Sequence, residues 1–387
     1  MDFDLDQEQR LLKESVEKFA HQHLSEGAIT RAHEDSYPWD VAELMAEQGL
    51  LGITISEEDG GQGGSLMDAV LAIEAIAKSC PRSADVIQAG NFGAIRVLAE
   101  YGSAEQKERL LGPMLKGEKL IAVAMTEPEA GSAATDLKTT ATADGDGFRI
   151  NGSKIFTTHG QSADVFLVYV RYGPGVGGIG SVLIERGQDG FTTGNPVKFM
   201  SGEEWVQLYF EDVHVDQKNI LLGEGGFKKQ IAGFNVERIG NTARSLALGR
   251  YAFDAAKEYA ETREQFGRTL NEFQGLQWKF ADMKVKLDAA ELLLYRAACN
   301  ADGGFPSAEE TSIAKLFCNT AGFEVANEAM QIMGGAGFSE DCLIEYCLRR
   351  TRGWMIAGGS LEVMKNRIAE SVFDRRFSQR PPSPGKK

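Results

Sequence analysis

The chain has 387 residues, 43% of them hydrophobic and 25% charged, which is an ordinary globular composition in a length too great for one simple core. Its formal net charge of −15 argues against nucleic-acid binding and against a polybasic contact with a membrane. The acidic start (MDFDLDQEQR) has no apolar signal core, no apolar run is long enough to span a bilayer, and the five cysteines lack paired spacing. We therefore expect a cytoplasmic protein of two or three packed units, with reduced cysteines and no metal site.

Helical spacing of apolar residues predominates up to about residue 120. Leu12, Val16 and Phe19 form one stripe and residues 66–77 form another, with a glycine-rich loop (EEDGGQGGS) between them. The pattern then changes to short β-rich runs separated by turn residues, at 165–172, 181–185 and 206–215, and before them the residues 148–152 indicate a strand that runs into a turn at Gly152. Such runs at close spacing are typical of a small barrel or sandwich.

The chain becomes helical again from about residue 231. One long apolar stripe contains Phe280, Met283, Leu287, Ala290 and Leu294. Long helices with few breakers indicate a bundle. The predicted fold class is therefore α+β, with a helical N-terminal domain (1–120), a small β-barrel or sandwich domain (121–230), a C-terminal four-helix bundle (231–380) and a flexible tail (381–387).

Two glycine-rich segments imitate nucleotide-binding motifs. Residues 175–180 satisfy GxGxxG, but a strand-like run (SVLIE) follows where the dinucleotide fingerprint requires a helix. The glycines between 60 and 64 lack the Lys-Ser/Thr of a P-loop. Both segments are therefore interpreted as turns. The five histidines show no metal-ligand spacing.

Five other segments are informative together. They are AMTEPEAGS at 124–132, GSKIFTTHG at 152–160, TREQFG at 262–267, QIMGGAGF at 331–338 and IAGGSLEVMKN at 356–366. In this order and spacing they resemble the acyl-CoA dehydrogenase family over nearly the whole chain. The resemblance implies an FAD enzyme that acts on an acyl-CoA thioester, assembles as a homotetramer and passes electrons to an electron-transferring flavoprotein.

The resemblance also implies which residues meet the flavin ring. Met125 and Thr126 match positions that face the pyrimidine edge, and Ser132 matches a residue near both the cofactor and the CoA arm of the substrate. Phe156 matches an aromatic residue beside the ring, and Thr158 a residue near flavin N5. The alternative for Phe156 is an ordinary core aromatic. The family more often has GAGSD where this chain has EAGSA, which leaves contacts in that loop open.

The distant half of FAD is assigned in the same way. Arg263 and Phe266 match residues that meet the pyrophosphate and adenine across a subunit interface, where a guanidinium can bind phosphate oxygens in pairs. The alternative for Arg263 is a solvated charge at a helix end. The remaining matches are adenosine-side positions: Gln331, Gly334, Gly335, Ser360 and Glu362.

The catalytic base departs from the commoner family pattern. Many members carry a glutamate in a YEGT-like loop, and Gly358 stands at the matching position. A branch with isovaleryl-CoA and long-chain types carries the base on the first bundle helix instead, where this chain has Glu237. The resemblance therefore implies Glu237 as base, Gly358 as the N–H donor to the thioester carbonyl, and Arg238 as a substrate contact. The alternative for Glu237 is a helix-start carboxylate or a partner of Arg238.

Three further questions stay open at this point. The stretch 273–283 (FQGLQWKFADM), together with IAGG, also resembles crotonobetainyl-CoA reductase and the sulfinopropionyl-CoA desulfinases, although the desulfinases lack a glutamate base. Arg82 is interpreted as a surface arginine, with a carboxylate-binding role as the alternative. The small residues Ala357, Gly358 and Gly359 predict a branched, cyclic or otherwise bulky short acyl group.

Overall fold

A computed structural model describes residues 4–301 and 303–380 of the chain. The tail predicted to be flexible (381–387) lies outside the described residues. Among the described residues, no helix combines the length and the apolar character that crossing a bilayer requires.

The N-terminal part is helical, as the sequence predicts. Its helices are α1 (Gln7–Leu24), α2 (Ala28–His33), α3 (Trp39–Glu47), α4 (Leu66–Ala77), α5 (Ala84–Asn91), α6 (Ala94–Tyr101), α7 (Ala104–Gln106) and α8 (Gly112–Leu115). Helix α1 begins at a capping box in which Gln9 N donates to Asp6 Oδ1 at 2.8 Å. Helix α4 begins at a second capping box on Ser65 and is buried on nearly every face. It is the central element of this domain.

The middle part is a nine-stranded sheet. Its strands are β1 (Ile121–Ala124), β2 (Thr140–Asp144), β3 (Gly147–Thr158), β4 (Val165–Arg171), β5 (Ile179–Glu185), β6 (Phe191–Thr193), β7 (Val197–Lys198), β8 (Glu204–Asp216) and β9 (Ile220–Leu222). They are ordered β6-β8-β3-β2-β4-β5-β9, with β1 parallel to β4 and β7 beside β8. The sheet folds over itself, since the rings of Phe166 (β4) and Phe191 (β6) lie 4.9 Å apart. This is the layered β domain that the sequence predicts.

Strand β3 differs from its prediction in one respect that matters for the site. The sequence predicts a turn at Gly152, and this is wrong: β3 continues to Thr158. Register shifts against β8 follow Ile150 and Lys154, so bulges absorb the irregular residues without ending the strand. The segment GSKIFTTHG is therefore mostly strand. By contrast, the GxGxxG segment at 175–180 lies at the turn between antiparallel β4 and β5, as predicted.

The C-terminal part is a helical bundle. Its helices are α9 (Phe227–Thr262), α10 (Gln274–Cys299), α11 (Ala308–Met333), α12 (Gly335–Phe338), α13 (Leu343–Trp354) and α14 (Leu361–Val372), with a hairpin of β10 (Glu264–Gln265) and β11 (Arg268–Thr269) after α9. Helices α9 and α11 cross closely, because a Cβ at Gly322 would lie 2.4 Å from Ser245 O. The predicted order of helical, β and helical domains is confirmed.

Candidate active site

Helix α9 carries a polar face into the interior of the molecule. Glu237, Asn241 and Arg244 follow one another at helical spacing and therefore share a face. Asn241 and Arg244 are buried, and Glu237 is half-buried. Buried polar groups require partners, and this face finds them on α5 and α11.

The Glu237 carboxyl contacts α5 and the residue before α6. Gln88 Nε2 donates a hydrogen bond to Glu237 Oε2 at 2.6 Å. A Cβ at Gly93 would lie 2.3 Å from the same oxygen, so only glycine leaves room for it. Burial raises the pKa of Glu237, whereas the charges of Arg244 and Lys315 and the Gln88 hydrogen bond oppose that rise. A carboxyl with a raised pKa is suited to accept a proton near neutral pH.

Side chains of α11 hold the start of the loop that follows α13. The carbonyl oxygen of Trp354 accepts hydrogen bonds from Lys315 Nζ and Asn319 Nδ2, both at 2.8 Å. Asn241 Oδ1 accepts from the same two donors at 3.3 and 2.7 Å. Burial lowers the pKa of Lys315 to about 7. These contacts fix the start of the loop that leads to Gly358.

Two glycines give this loop its shape. Gly358 has φ +74° and Gly359 φ +97°, a region that side-chain-bearing residues rarely adopt. The carbonyl oxygen of Gly358 accepts a hydrogen bond from Arg238 Nε at 2.8 Å. The backbone here is therefore not shaped to carry a glutamate. This agrees with placing the base on α9.

Arg238 is buried without an ion pair to a carboxylate among the described residues. Besides Gly358 it bonds Asn235 Oδ1 at 2.8 Å, and its guanidinium lies 5.1 Å from the Phe234 ring. Burial, assisted by the charge of Arg367, lowers the pKa of Arg238 to about 10. The alternative that Glu237 pairs with Arg238 is wrong, because Glu237 instead accepts from Gln88.

The two segments expected to meet the flavin ring are joined to each other. Ile155 N donates to Thr126 O at 2.8 Å, which ties β3 to the residues after β1. The fully buried Lys154 donates to Glu127 Oε1 at 2.8 Å and to Met125 O at 3.2 Å. Burial lowers the pKa of Lys154 to about 8, and Glu127 opposes that shift. Lys154 and Glu127 thus pair with each other and join the two segments.

Phe156 presents an aromatic face beside these segments. It has φ +59° and is 51% exposed, although its ring lies 4.7 Å from Trp205. The alternative of an ordinary core aromatic is therefore wrong. Thr158 follows on the same strand, and Thr157 Oγ1 is buried with no hydrogen-bond partner among the described residues. An exposed aromatic face beside hydroxyl and backbone donors fits a planar heteroaromatic ring such as that of FAD.

The other expected site residues lie at the surface of the single chain. Ser132 is exposed in the loop after β1. Arg263 and Phe266 lie at the β10–β11 hairpin, where Phe266 is 94% exposed with φ +54°. The adenosine-side residues flank the ends of α11 and the start of α14: Gln331, Gly334, Gly335, Ser360 and Glu362. Among the described residues, no hydrogen bond or ion pair joins any of these to Glu237.

A buried charge cluster beside the site was not foreseen from the sequence. Asp85 accepts hydrogen bonds from Arg82 at 2.5 Å, from Arg244 at 2.6 Å and from Arg350 at 2.8 Å. Glu203 of the β domain also pairs with Arg350. The cluster thus joins all three domains. Apart from the neighbours Arg82 and Asp85, its members lie too far apart in sequence for a local pattern to reveal them.

The interpretation of Arg82 as a surface arginine is wrong. Arg82 is 2% exposed, so it is not a surface arginine. Its guanidinium is occupied by Asp85 and by Ser36 O at 3.1 Å. A guanidinium neutralised in this way is a poor receptor for a carboxylated acyl chain. Packing between domains is the role that its contacts support.

One histidine and two aspartates come together on the β domain. Ligand atoms of Asp146, His214 and Asp216 lie within 4.8 Å of one another. The neighbouring Asp144 is already paired with Arg149 at 2.5 Å. Asp146 is exposed and the other two residues are half-buried, and no role is assigned to the group.

Comparison with known proteins decides the family. Models of the acyl-CoA dehydrogenase N-terminal, middle and C-terminal domains match residues 6–118, 122–213 and 224–373. The chain belongs to the acyl-CoA dehydrogenase family. It is accordingly an FAD-dependent oxidoreductase that acts on acyl-CoA thioesters.

Individual acyl-CoA dehydrogenase relatives cover nearly the whole chain. A 3-sulfinopropanoyl-CoA desulfinase of Paraburkholderia xenovorans is 35% identical, over 98% of this chain and 99% of its own. A short-chain-specific acyl-CoA dehydrogenase of Clostridium acetobutylicum is 34% identical, over 96% and 100%. An acryloyl-CoA reductase (NADH) of Anaerotignum propionicum is 36% identical, over 97% of both chains.

Solved structures agree with this membership. Butyryl-CoA dehydrogenase from Megasphaera elsdenii superposes with a TM-score of 0.90 at 33% identity, covering 96% of this chain and 100% of its own. A chain from a structure of the electron-transferring flavoprotein of Acidaminococcus fermentans gives 0.91 at 34% identity, covering 96% and 99%.

Proposed function

We propose that this protein dehydrogenates a short acyl-CoA across its α and β carbons, with Glu237 as the base. The observation that carries the proposal is the Glu237 carboxyl, held by Gln88 and raised in pKa by burial, on a helix packed against the glycine loop at Gly358. Met125, Thr126, Phe156 and Thr158 would hold FAD, which would supply a hydride acceptor for the β carbon. Glu237 takes the α-proton.

The loop at Gly358 is proposed to polarise the thioester carbonyl. Glycine at 358 retains its backbone N–H, which can donate to the thioester carbonyl and so acidify the α-proton. Arg238 holds the Gly358 carbonyl at 2.8 Å, and Lys315 and Asn319 hold Trp354 at the beginning of the loop. A donor fixed in this way stabilises developing negative charge without having to reorganise.

Arg238 is proposed as a substrate contact. Its guanidinium is buried but its hydrogen bonds go to neutral oxygens of Gly358 and Asn235. A buried cation with no carboxylate partner favours an anionic or strongly polar ligand nearby. The CoA arm of an acyl thioester supplies such groups. Ser132, on an exposed loop, is proposed to meet the same arm.

Cofactor binding is proposed to use two surfaces. Met125, Thr126, Phe156 and Thr158 would hold the ring, because Lys154 and Glu127 lock their segments together. The adenosine half would lie along the exposed residues Gln331, Gly334, Gly335 and Glu362 and the half-buried Ser360.

Assembly of several subunits is proposed to complete that second surface. Phe266 projects at the tip of the β10–β11 hairpin next to Arg263, where it is covered by little of its own chain. Trp278, Val285 and Leu292 of α10 are also exposed, and their seven-residue spacing places them on one stripe. An exposed apolar stripe beside an exposed hairpin supports a homotetramer in which Arg263 and Phe266 reach the FAD of a neighbour.

A short acyl group suits the packing around Glu237. A Cβ at Gly233 would lie 2.2 Å from Val97, so α9 and α6 are in close contact. Lys315 and Arg238 lie 3.7 and 4.0 Å from a Cβ built at Gly358, so both side chains border the space that the glycine leaves. The predicted branched or bulky short acyl group therefore stays a prediction, with its bulk limited by these two side chains.

The direction of reaction and the electron acceptor complete the proposal. We propose dehydrogenation with an electron-transferring flavoprotein as acceptor, supported by the relatives named as dehydrogenases. The second candidate is an enoyl-CoA reductase, because the relative named acryloyl-CoA reductase is 36% identical and a carboxyl at Glu237 can return a proton as well as remove one. A desulfinase is the third, although Glu237 argues against it.

An anaerobic titration with a panel of acyl-CoAs tests the proposal. The purified protein should be yellow with about one FAD per chain, and short acyl-CoAs should bleach it. Bleaching by no saturated acyl-CoA, with rapid reoxidation of chemically reduced enzyme by an enoyl-CoA, would favour the reductase. Colourless protein that cannot be reconstituted with FAD would contradict every flavin-dependent assignment.

A further inference from the structure

Gln88 contacts the Glu237 carboxyl from the N-terminal domain. Its side chain, on α5, is 5% exposed. Its Nε2 lies 2.6 Å from Glu237 Oε2 and 3.4 Å from Glu237 O. The amide therefore donates to both the side chain and the backbone of Glu237, which lies 149 positions further along the chain.

Two glycines make this contact sterically feasible. A Cβ at Gly240 would lie 1.8 Å from Gln88 Oε1, and a Cβ at Gly93 would lie 2.3 Å from Glu237 Oε2. Gly93 also has φ +63°, which glycine adopts without strain. A glycine thus lies beside the amide and another beside the carboxyl, at positions where any side chain would collide with them. The amide and the carboxyl have little freedom to move apart.

The two oxygens of Glu237 are consequently not equivalent. Oε2 is held between Gln88 and Gly93. No hydrogen bond reaches Oε1 from the described residues, and Oε1 is not among the buried oxygens that lack a partner. Oε1 is therefore the oxygen that remains accessible for a proton from a bound substrate.

We infer that Gln88 is a positioning residue for the catalytic base: it holds Glu237 Oε2, favours the ionised form of the carboxyl and directs Oε1 at the substrate α-hydrogen. This inference rests on the proposed role of Glu237. Gln88 itself exchanges no proton with substrate. Its amide acts through Glu237.

The same amide can serve the protonated base. When Oε1 takes the substrate proton, Oε2 becomes the carbonyl oxygen of the carboxylic acid and still accepts from Gln88 Nε2, so the amide need not turn. Gln88 then has a hydrogen bond to Glu237 in either protonation state. The substrate proton moves to Glu237, and no other bond of the protein is made or broken.

Other charges facing Glu237 must be kept constant in any test. They are Arg244 on α9, Lys315 on α11 and Asp85 on α5. Lys315 also titrates near neutral pH, because burial lowers its pKa to about 7. A pH profile of the wild-type protein alone therefore mixes two groups. Only the difference between a Gln88 variant and the wild type reports on the Gln88 contact.

Gln88→Met removes the donor and nearly preserves the shape. Loss of a hydrogen bond to a charged group should move the acid limb of the rate of flavin reduction upward by about one to two pH units. The matched control is Gln106→Met. Gln106 is an equally buried glutamine whose amide donates to Lys218 O and Ile220 O, so its loss should destabilise the fold without moving the acid limb.

A second variant keeps the test decisive if Gln88→Met does not fold. Gln88→Glu retains the size of the side chain and places a second carboxyl beside Glu237, so the acid limb should again move upward. An acid limb unchanged from wild type in whichever variant folds would overturn the positioning role. This outcome is distinct from failure of the proposed function, in which Glu237→Gln itself would still reduce its flavin rapidly.

Discussion

The α9 face and the β10–β11 hairpin are two parts of one proposed site, but they differ in what surrounds them. The face around Glu237 is enclosed by its own chain, with contacts from Gln88, Lys315 and the Gly358 loop. The hairpin is open, and Phe266 at its tip is 94% exposed. The proposal therefore predicts that proton chemistry requires only one folded subunit, whereas retention of FAD depends on a second.

This difference separates two kinds of failure. A change on the α9 face should remove catalysis and leave the cofactor in place. A change on the hairpin should release the cofactor and leave Glu237 undisturbed, since no hydrogen bond or ion pair joins the two parts among the described residues.

The largest effect is expected for Glu237→Gln. The amide cannot take the α-proton, so the rate of flavin reduction by acyl-CoA should fall about 10²–10⁴-fold or more, with FAD and acyl-CoA still bound. Stopped-flow absorbance measures this rate. The control is Glu291→Gln, which removes a half-buried carboxylate paired with Arg250 in the same bundle. A near-normal rate in Glu237→Gln would show that the base lies elsewhere.

Arg263→Ala should affect FAD binding at the hairpin and not proton transfer on the α9 face. Loss of hydrogen bonds from a guanidinium to phosphate should weaken FAD retention about 10–100-fold. Gel filtration with absorbance detection follows FAD content and assembly together. Arg268→Ala is the matched control on the same hairpin, since Arg268 lies 4.0 Å from the Phe273 ring and is assigned no cofactor contact. A monomer with full FAD occupancy would rule out the shared site.

The choice of acyl group should give a smaller effect. The absence of a side chain at Gly358 predicts that branched or cyclic short acyl-CoAs outperform butyryl-CoA. Lys315 and Arg238 limit the gain, because they lie close to that residue. We expect a ratio of kcat/KM near the low end of about 10–200-fold, the range for one methylene contact. A clear preference for butyryl- or octanoyl-CoA would reject the argument from small residues.

The smallest effect concerns stability. Burial raises the pKa of Glu237 in the folded state above its unfolded value, so the folded protein binds this proton more tightly. The carboxyl therefore costs stability above its folded pKa, and the cost disappears as pH falls through the unfolded value. At neutral pH, Glu237→Gln should have a Tm equal to or above that of the wild type. A markedly lower Tm would mean that the ionised carboxylate stabilises the fold.

The fold was accessible from the sequence because it follows periodicity. Apolar spacing predicted the buried helix α4 and the stripe of α10, and the turn after β4 was predicted because a strand followed its glycines. The continuation of β3 beyond Gly152 was not predicted, since glycine is usual in turns and a bulge leaves no separate signal. Helix α9 begins at Phe227, before the predicted domain boundary at 231.

For the site, the sequence likewise predicted the residues that lie in motifs but not those that meet only through tertiary contacts. Motif resemblance pointed to Glu237 and Gly358, which lie on α9 and on the loop that α9 contacts through Arg238. Gln88, Lys315 and Asp85 were missed. Each meets its partner across long chain separations, such as the 149 residues between Gln88 and Glu237, so neither helical nor strand spacing carries the information.

The most direct test of the central claim is exchange of the substrate α-hydrogen with solvent. Acyl-CoA deuterated at the α carbon is incubated anaerobically with wild-type protein and with Glu237→Gln, both loaded with FAD, and loss of deuterium is followed by mass spectrometry. If Glu237 is the base, the wild type should wash out the label and Glu237→Gln should retain it. Equal loss of deuterium from both proteins would contradict the assignment of the base to helix α9.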